Sequence, residues 1–192
     1  MNELLFNDFR WLNKPGKYNV DNNEVVIVTE AQTDLWQRTY YGFRHDNAPA
    51  FLIKKEGDFT FHAKVVYKAN SLYDQCGLLM YHDKDNWVKA SVEYENEMIS
   101  RLGSVVTNLG YSDWATTDIL SSVSEIWYRF SRRGHDFYIE YSIDGKVYKQ
   151  MRMLHMHVIM NAVRIGVYAC SPLESSFRAI FSEISVGECL WQ

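Results

Sequence analysis

Between Asp74 and Trp114 the chain reads DQCGLLMYHDKDNWVKASVEYENEMISRLGSVVTNLGYSDW, and much of its apolar content falls on every second position. Side chains on a strand alternate between two faces, whereas a helix returns to the same face only after a full turn. That period commits the stretch to consecutive β-strands. Val88, Ala90, Val92 and Tyr94 share one face of the second strand, and Trp87, Lys89, Ser91 and Glu93 share the other. The same alternation runs through Phe59, Phe61, Ala63, Val65 and Tyr67, through Phe137, Ile139, Tyr141 and Ile143, and through Val163, Ile165, Val167 and Ala169. One apolar face per strand marks antiparallel sheets covered on one side. No segment carries a convincing amphipathic helical repeat, so the expected class is all-β, a sandwich or barrel of roughly a dozen strands.

The remaining segments are placed by their turn signals. From Phe6 to Val20 aromatic residues surround Pro15-Gly16, and Val25 to Thr29 is a short β-branched run, which predicts two short strands. Thr33 to Leu52 is rich in rings without any helical repeat and reads as a partly ordered excursion, with Trp36, Tyr40 and Tyr41 as either core rings or ligand rings. His82 to Asn86 forms the turn of a hairpin, and Asp144-Gly145 marks another. Asn108 to Ser124 shows no period and is expected to be a long loop. Leu154 to Asn161 reads as a connection or short helix, and the last strand as Phe177 to Val186.

Composition narrows the function classes. The 13 Tyr, 6 Trp and 23% charged residues are a globular balance. A chain of 192 residues without a linker or composition shift reads as one domain, residues 1–192. A net charge of −4 argues against nucleic acid as a partner. No apolar run approaches the roughly 20 residues that cross a bilayer, and Met1 leads into NELLFNDFRW without a basic n-region, so neither a membrane partner nor a targeting segment is expected. Cys76, Cys170 and Cys189 are odd in number and widely spaced, which predicts free thiols and a cytoplasmic location. His155 and His157 share a face if extended, but no neighbouring Cys or carboxylate completes a tetrahedral set. Asp83 and Asp85 lack the twelve-residue calcium loop around them and serve as turn formers. Phosphate-loop, dinucleotide and GxSxG motifs are absent from the sequence, and no cofactor or metal is expected.

Several segments look familiar together: TDLWQRTYYG, YDQCGLLMYHDKDNWVKASVEYEN, GSVVTNLGYSDW, SIDGKVY and RIGVYACSP. Their types and order resemble an uncharacterised jelly-roll family, concanavalin A-like in fold, that includes the fungal regulation-of-enolase protein. The specific pieces are Asp74-Gln75 with Gly77, Trp87-x-Lys89-x-x-x-Glu93 and Ser112-Asp113-Trp114; Cys76 stands where a small residue such as Ala is expected. The resemblance implies a two-sheet antiparallel β-sandwich of the lectin and glucanase type, with one concave face, and implies no activity.

On such a sandwich the outward face of the Trp87 strand would line a groove. The candidate ligand-binding residues are Gln75, Trp87, Lys89, Glu93, Asp113, Trp114, Arg129 and Tyr168. Rings cover the C–H face of a sugar while polar groups exchange hydrogen bonds with its hydroxyls. The bland alternative is an outer-face network in which Lys89 and Glu93 simply pair. The expected function is lectin-like binding of a carbohydrate or small polyhydroxylated ligand without catalysis. Two alternatives stay open: a module for a protein partner or homodimer, since Tyr, Trp and Arg anchor interfaces, and a glycoside hydrolase with Glu93 as one catalytic carboxylate and Asp113 or Glu140 as the other.

Overall fold

The computed structural model describes residues 6–21 and 24–191. Met1 to Leu5, read above as the start of a chain without a targeting signal, lie outside the described residues. A single 3-10 turn, Phe6–Asp8, precedes sixteen strands: β1 (Arg10–Leu12), β2 (Tyr18–Val20), β3 (Glu24–Val28), β4 (Leu35–Gln37), β5 (Arg44–Asp46), β6 (Ala50–Glu56), β7 (Phe59–Tyr67), β8 (Gln75–Asp83), β9 (Asn86–Tyr94), β10 (Ile99–Asn108), β11 (Tyr111–Leu120), β12 (Glu125–Arg133), β13 (Asp136–Ser142), β14 (Lys149–His155), β15 (Ala162–Cys170) and β16 (Arg178–Gly187). One seven-stranded sheet runs β1-β6-β15-β8-β9-β10-β11 and the other β14-β13-β12-β7-β16-β3-β2, while β4 and β5 form a small hairpin of their own. Neighbouring strands are antiparallel throughout. The chain is therefore all-β, as the alternation predicts, and the two-sheet sandwich that the resemblance implies.

The inward faces are the ones read from the sequence. Phe59, Phe61, Ala63 and Val65 of β7 pack with Val88, Ala90 and Val92 of β9 and with Val163, Ile165 and Val167 of β15 in one cluster between the sheets. Burial of such side chains stabilises each by roughly 1.5–3 kcal/mol. Gly77 is required where it stands, because a Cβ there would lie 2.0 Å from the carbonyl oxygen of Ala90 on the next strand.

A second apolar cluster lies on the outward face of the first sheet. Leu79, Tyr81, Trp87, Val105, Tyr168 and Cys170 are buried there beneath Leu35 and Ala48. The ring-rich excursion thus folds back as a lid, with β4 and β5 at its centre. Ser112 Oγ accepts from the Gln37 amide (2.9 Å), the Arg38 guanidinium donates to the Gly110 carbonyl (2.9 Å), and Tyr81 Oη donates to Asp46 (3.0 Å).

Two sequence expectations are corrected and a third is narrowed. Asn108 to Ser124 is not a loop: β11 pairs with β10 from Tyr111 to Leu120. It is an edge strand exposed on most of both faces, so it carries no apolar period. Leu154 to Asn161 holds the end of β14 and an irregular connection, the first of the two readings the sequence offered. The strand count exceeds a dozen because three-residue strands such as β4 and β5 are too short to show alternation, and because β6 and β11 begin in stretches read as an excursion and a loop.

Candidate functional site

Gln75 on β8 stands opposite Glu93 on β9. Four residues further along, Leu79, Lys89, Val105 and Trp114 form a row across β8 to β11 on the same outward face. The row between holds Gly77, Ser91 and Gly103, and Tyr168 of β15 lies opposite Gly77 in register. Gln75, Lys89, Glu93 and Trp114 consequently line one hollow of about 440 Å³, shared with Gln32, Asp34, Trp36, Tyr41, Phe43, His45, Tyr73, Pro172 and Leu173.

Its walls are aromatic and connected. Trp36 meets Tyr41 edge-on at 5.6 Å, Tyr41 stacks on Phe43 at 5.2 Å, and Phe43 tilts against His45 at 4.7 Å. Trp114, 42% exposed, stands on β11, and Tyr73 holds a left-handed φ of 69° that a bulky side chain rarely adopts. Gln32 is left-handed too (φ 59°). Each such residue costs on the order of 1–3 kcal/mol, and that cost persists only where the surroundings enforce it.

The polar floor is tied down from below. Tyr168 Oη donates to Gln75 Oε1 (3.0 Å), and Gln75 Nε2 donates to Glu93 Oε2 (3.0 Å) and to the Tyr73 carbonyl (3.3 Å). Lys89, only 3% exposed, donates from Nζ to the Leu35 carbonyl (2.9 Å) and pairs with Asp34 Oδ1 at 3.4 Å. Lys89 and Glu93 do not form the direct pair of the bland alternative. Burial pushes the Glu93 carboxyl up to about 7; Lys89 opposes that rise, and Asp34 and Glu95 add to it. A second groove of about 650 Å³, bounded by Gly16, Lys17, Glu30 and Glu174, has no aromatic wall and none of the predicted residues.

The other four predicted residues do not reach the hollow. Trp87 faces outward as read, but the lid covers it: it is fully buried, with Nε1 donating to the Lys84 carbonyl (3.2 Å). Tyr168 is likewise fully buried and supports Gln75 from beneath. Asp113 is one residue from Trp114 on a strand, so it points to the opposite face, where it pairs with Arg152 at 2.8 Å. Arg129 belongs to β12 on the other sheet, where its guanidinium lies 3.4 Å from the centre of the Tyr148 ring. Glu140 stands opposite Arg129. Neither Asp113 nor Glu140 therefore faces Glu93, and the two-carboxylate arrangement expected of a hydrolase does not form from these residues. Ser112-Asp113-Trp114 is strand rather than loop, with Ser112 holding the lid and Trp114 lining the hollow.

Sequence reading missed Gln32, Asp34, Phe43, His45, Tyr73 and Leu173, and left Trp36 and Tyr41 undecided between core and ligand. The density of rings from Trp36 to Phe43 was the available signal. Tyr40 does not line the hollow and is 93% exposed. Elsewhere, β13 brings Asp136 to His155 (2.6 Å), a carboxylate neighbour that sequence spacing does not reveal. No group of three metal-capable side chains forms among the described residues, and no helix among them is long and apolar enough to cross a membrane.

Comparison with known proteins places this geometry. Residues 11–189 match the family described as proteins of unknown function, DUF1349. Regulation of enolase protein 1 of Saccharomyces cerevisiae is 31% identical over 176 residues, 92% of this chain and 87% of that protein. A crystal structure of a functionally unknown protein from Saccharomyces cerevisiae superposes with a TM-score of 0.90 at 29% identity, over 96% of this chain and 98% of that one. The GH43 BlXynB protein from Bacillus licheniformis shares the fold with a TM-score of 0.71 at 14% identity, over 94% of this chain but only 36% of its own. The jelly-roll sandwich is thus one also found in glycoside hydrolases, and the chain belongs to the DUF1349 family, whose function is unknown.

Proposed function

We propose that this chain is a lectin-like binding protein that takes a carbohydrate or a related polyhydroxylated metabolite into the hollow between the β4–β5 lid and the outward face of β8 to β11, without catalysis. The observation that carries this reading is the convergence of Trp36, Tyr41 and Trp114 with a fixed floor of Gln75, Lys89 and Glu93. Rings of this kind cover the C–H face of a pyranose, and the floor exchanges hydrogen bonds with hydroxyls. The volume of about 440 Å³ falls within the roughly 300–1,000 Å³ of small-molecule sites. Side chains already held by internal hydrogen bonds lose little freedom when a ligand arrives. Cys76 and Cys170 are fully buried free thiols on opposite faces of the first sheet, which supports a reducing, cytoplasmic setting.

A glycan array followed by calorimetry tests the reading. Trp114→Ala is expected to weaken binding at least about tenfold, some 1.4 kcal/mol, while the unfolding midpoint stays close to that of the parent. A uniformly silent array and saccharide panel would overturn it. One observation favours a protein partner instead: Tyr40, Tyr41 and Phe43 are 93%, 55% and 43% exposed on one turn. Light scattering that shows a dimer, dispersed by Tyr40→Ser with Tyr41→Ser, would favour that second reading.

A further inference from the structure

We infer that the ligand of this hollow carries a positive charge beside its hydroxyls, as an amino sugar in its ammonium form does, with the nitrogen set against the Glu93 carboxylate. The inference rests on the sugar-binding reading above and narrows its ligand class.

The first ground is the charge arrangement around Glu93. Two cations stand near it, and each is claimed by another acid. Lys89 is held by Asp34 at 3.4 Å and by the Leu35 carbonyl at 2.9 Å. Arg101, opposite Glu93 in register, donates to Glu95 at 2.8 Å and lies 3.7 Å from Asp118. The Glu93 side chain has no salt bridge among the described residues, and its only hydrogen bond among them is the neutral one from Gln75 to Oε2. A half-buried carboxylate with no cation paired to it is left in an unfavourable state that a bound cation would relieve. Its raised pKa, about 7, has burial as its main cause and agrees with that picture.

Hydrogen-bond polarity gives the second ground. The donors of the floor are largely spent inside the protein: both Gln75 amide hydrogens go to Tyr73 and Glu93, and Lys89 Nζ serves Asp34 and Leu35. Acceptors are left over. Glu93 Oε1 and Asp34 Oδ2 have no protein donor among the described residues. A floor of this kind receives hydrogen bonds, so it selects ligands that donate them and disfavours carboxylate or phosphate. The aromatic walls point the same way, because ring faces attract cations as well as C–H surface.

The test is calorimetry or ligand-detected NMR at neutral pH on three forms of each ring, 2-amino, neutral and uronate, in the gluco, galacto and manno configurations. The amino form is expected to bind ten- to a hundredfold more tightly than the neutral form, the range of a charge-assisted hydrogen bond, and the uronate least of all. Glu93→Gln keeps the size and the contact with Gln75, and should bring the ratio of amino to neutral affinity, measured within the variant, close to one. Equal affinity for amino and neutral rings, or a gap that survives Glu93→Gln in a folded protein, overturns the inference and leaves sugar binding standing. Failure of every ring to bind overturns both.

Discussion

Tyr73 and Trp87 show how two aromatic residues can serve opposite ends. Tyr73 spends backbone strain to stand at the rim: at φ 69° an L side chain is disfavoured by roughly 1–2 kcal/mol, a cost that glycine avoids. Tyr73→Gly is therefore expected to leave urea stability unchanged or raise it by up to about 1 kcal/mol, while ligand affinity falls because one wall is lost. A clear loss of stability would mean that the ring packs more than it binds. Trp87 is the reverse case. It is fully buried in the outer cluster, so Trp87→Ala should cost roughly 3–5 kcal/mol in chemical unfolding, whereas the half-exposed Trp114→Ala should cost under about 1 kcal/mol. Residue by residue, the sequence revealed that Lys89 and Glu93 leave the inter-sheet core, since alternation alone dictates it. It did not reveal that Trp87, on the same face, is roofed over, because the roof comes from Leu35 and Ala48, some fifty and forty residues earlier.

Among the elements, the lid formed around β4 and β5 matters most for the site and was least legible. Two three-residue strands carry no measurable period, and the ties that hold them are long-range: Gln37 to Ser112, Arg38 to Gly110, Leu35 to Lys89. The longer strands β7, β8, β9, β12, β13, β15 and β16 were legible because each shows one face to the core over seven residues or more. Lys89 is the spoke between lid and sheet. Lys89→Met should cost on the order of 3 kcal/mol, because it leaves Asp34 without its partner in a partly dry site, and should open the lid before the sandwich. Amide exchange checks this: in the parent, Gln37 and Arg44 should exchange at lower opening free energy than the core of β9 and β10, and in the variant only the lid amides should lose further protection. A uniform loss across both sheets would show that Lys89 supports the whole fold instead.

For the whole molecule, two sheets that bury one face each against the other leave the outward faces to differ in use. The outer face of the second sheet is closed by pairs such as Arg129 with Tyr148 and Lys64 with Trp127; the first is covered over part of its width and hollow where the cover ends. Keeping an uncompensated carboxylate in that hollow has a consequence for global stability. The Glu93 carboxyl rises from its ordinary 4.5 to about 7 on folding, so between those values the folded state binds more protons than the unfolded one. Stability attributable to this group is then fully present below about pH 4.5 and declines as pH rises through 7, by no more than about 3 kcal/mol and by less where water at the mouth screens it. Glu93→Gln should match the parent in urea midpoint near pH 4.5 and exceed it by roughly 1–3 kcal/mol near pH 8. A bound cation would reverse the ranking, lowering the carboxyl's pKa and stabilising the parent at pH 8 but not the variant. A variant less stable than the parent at both pH values without ligand would show that the ionised carboxylate is already compensated within the protein.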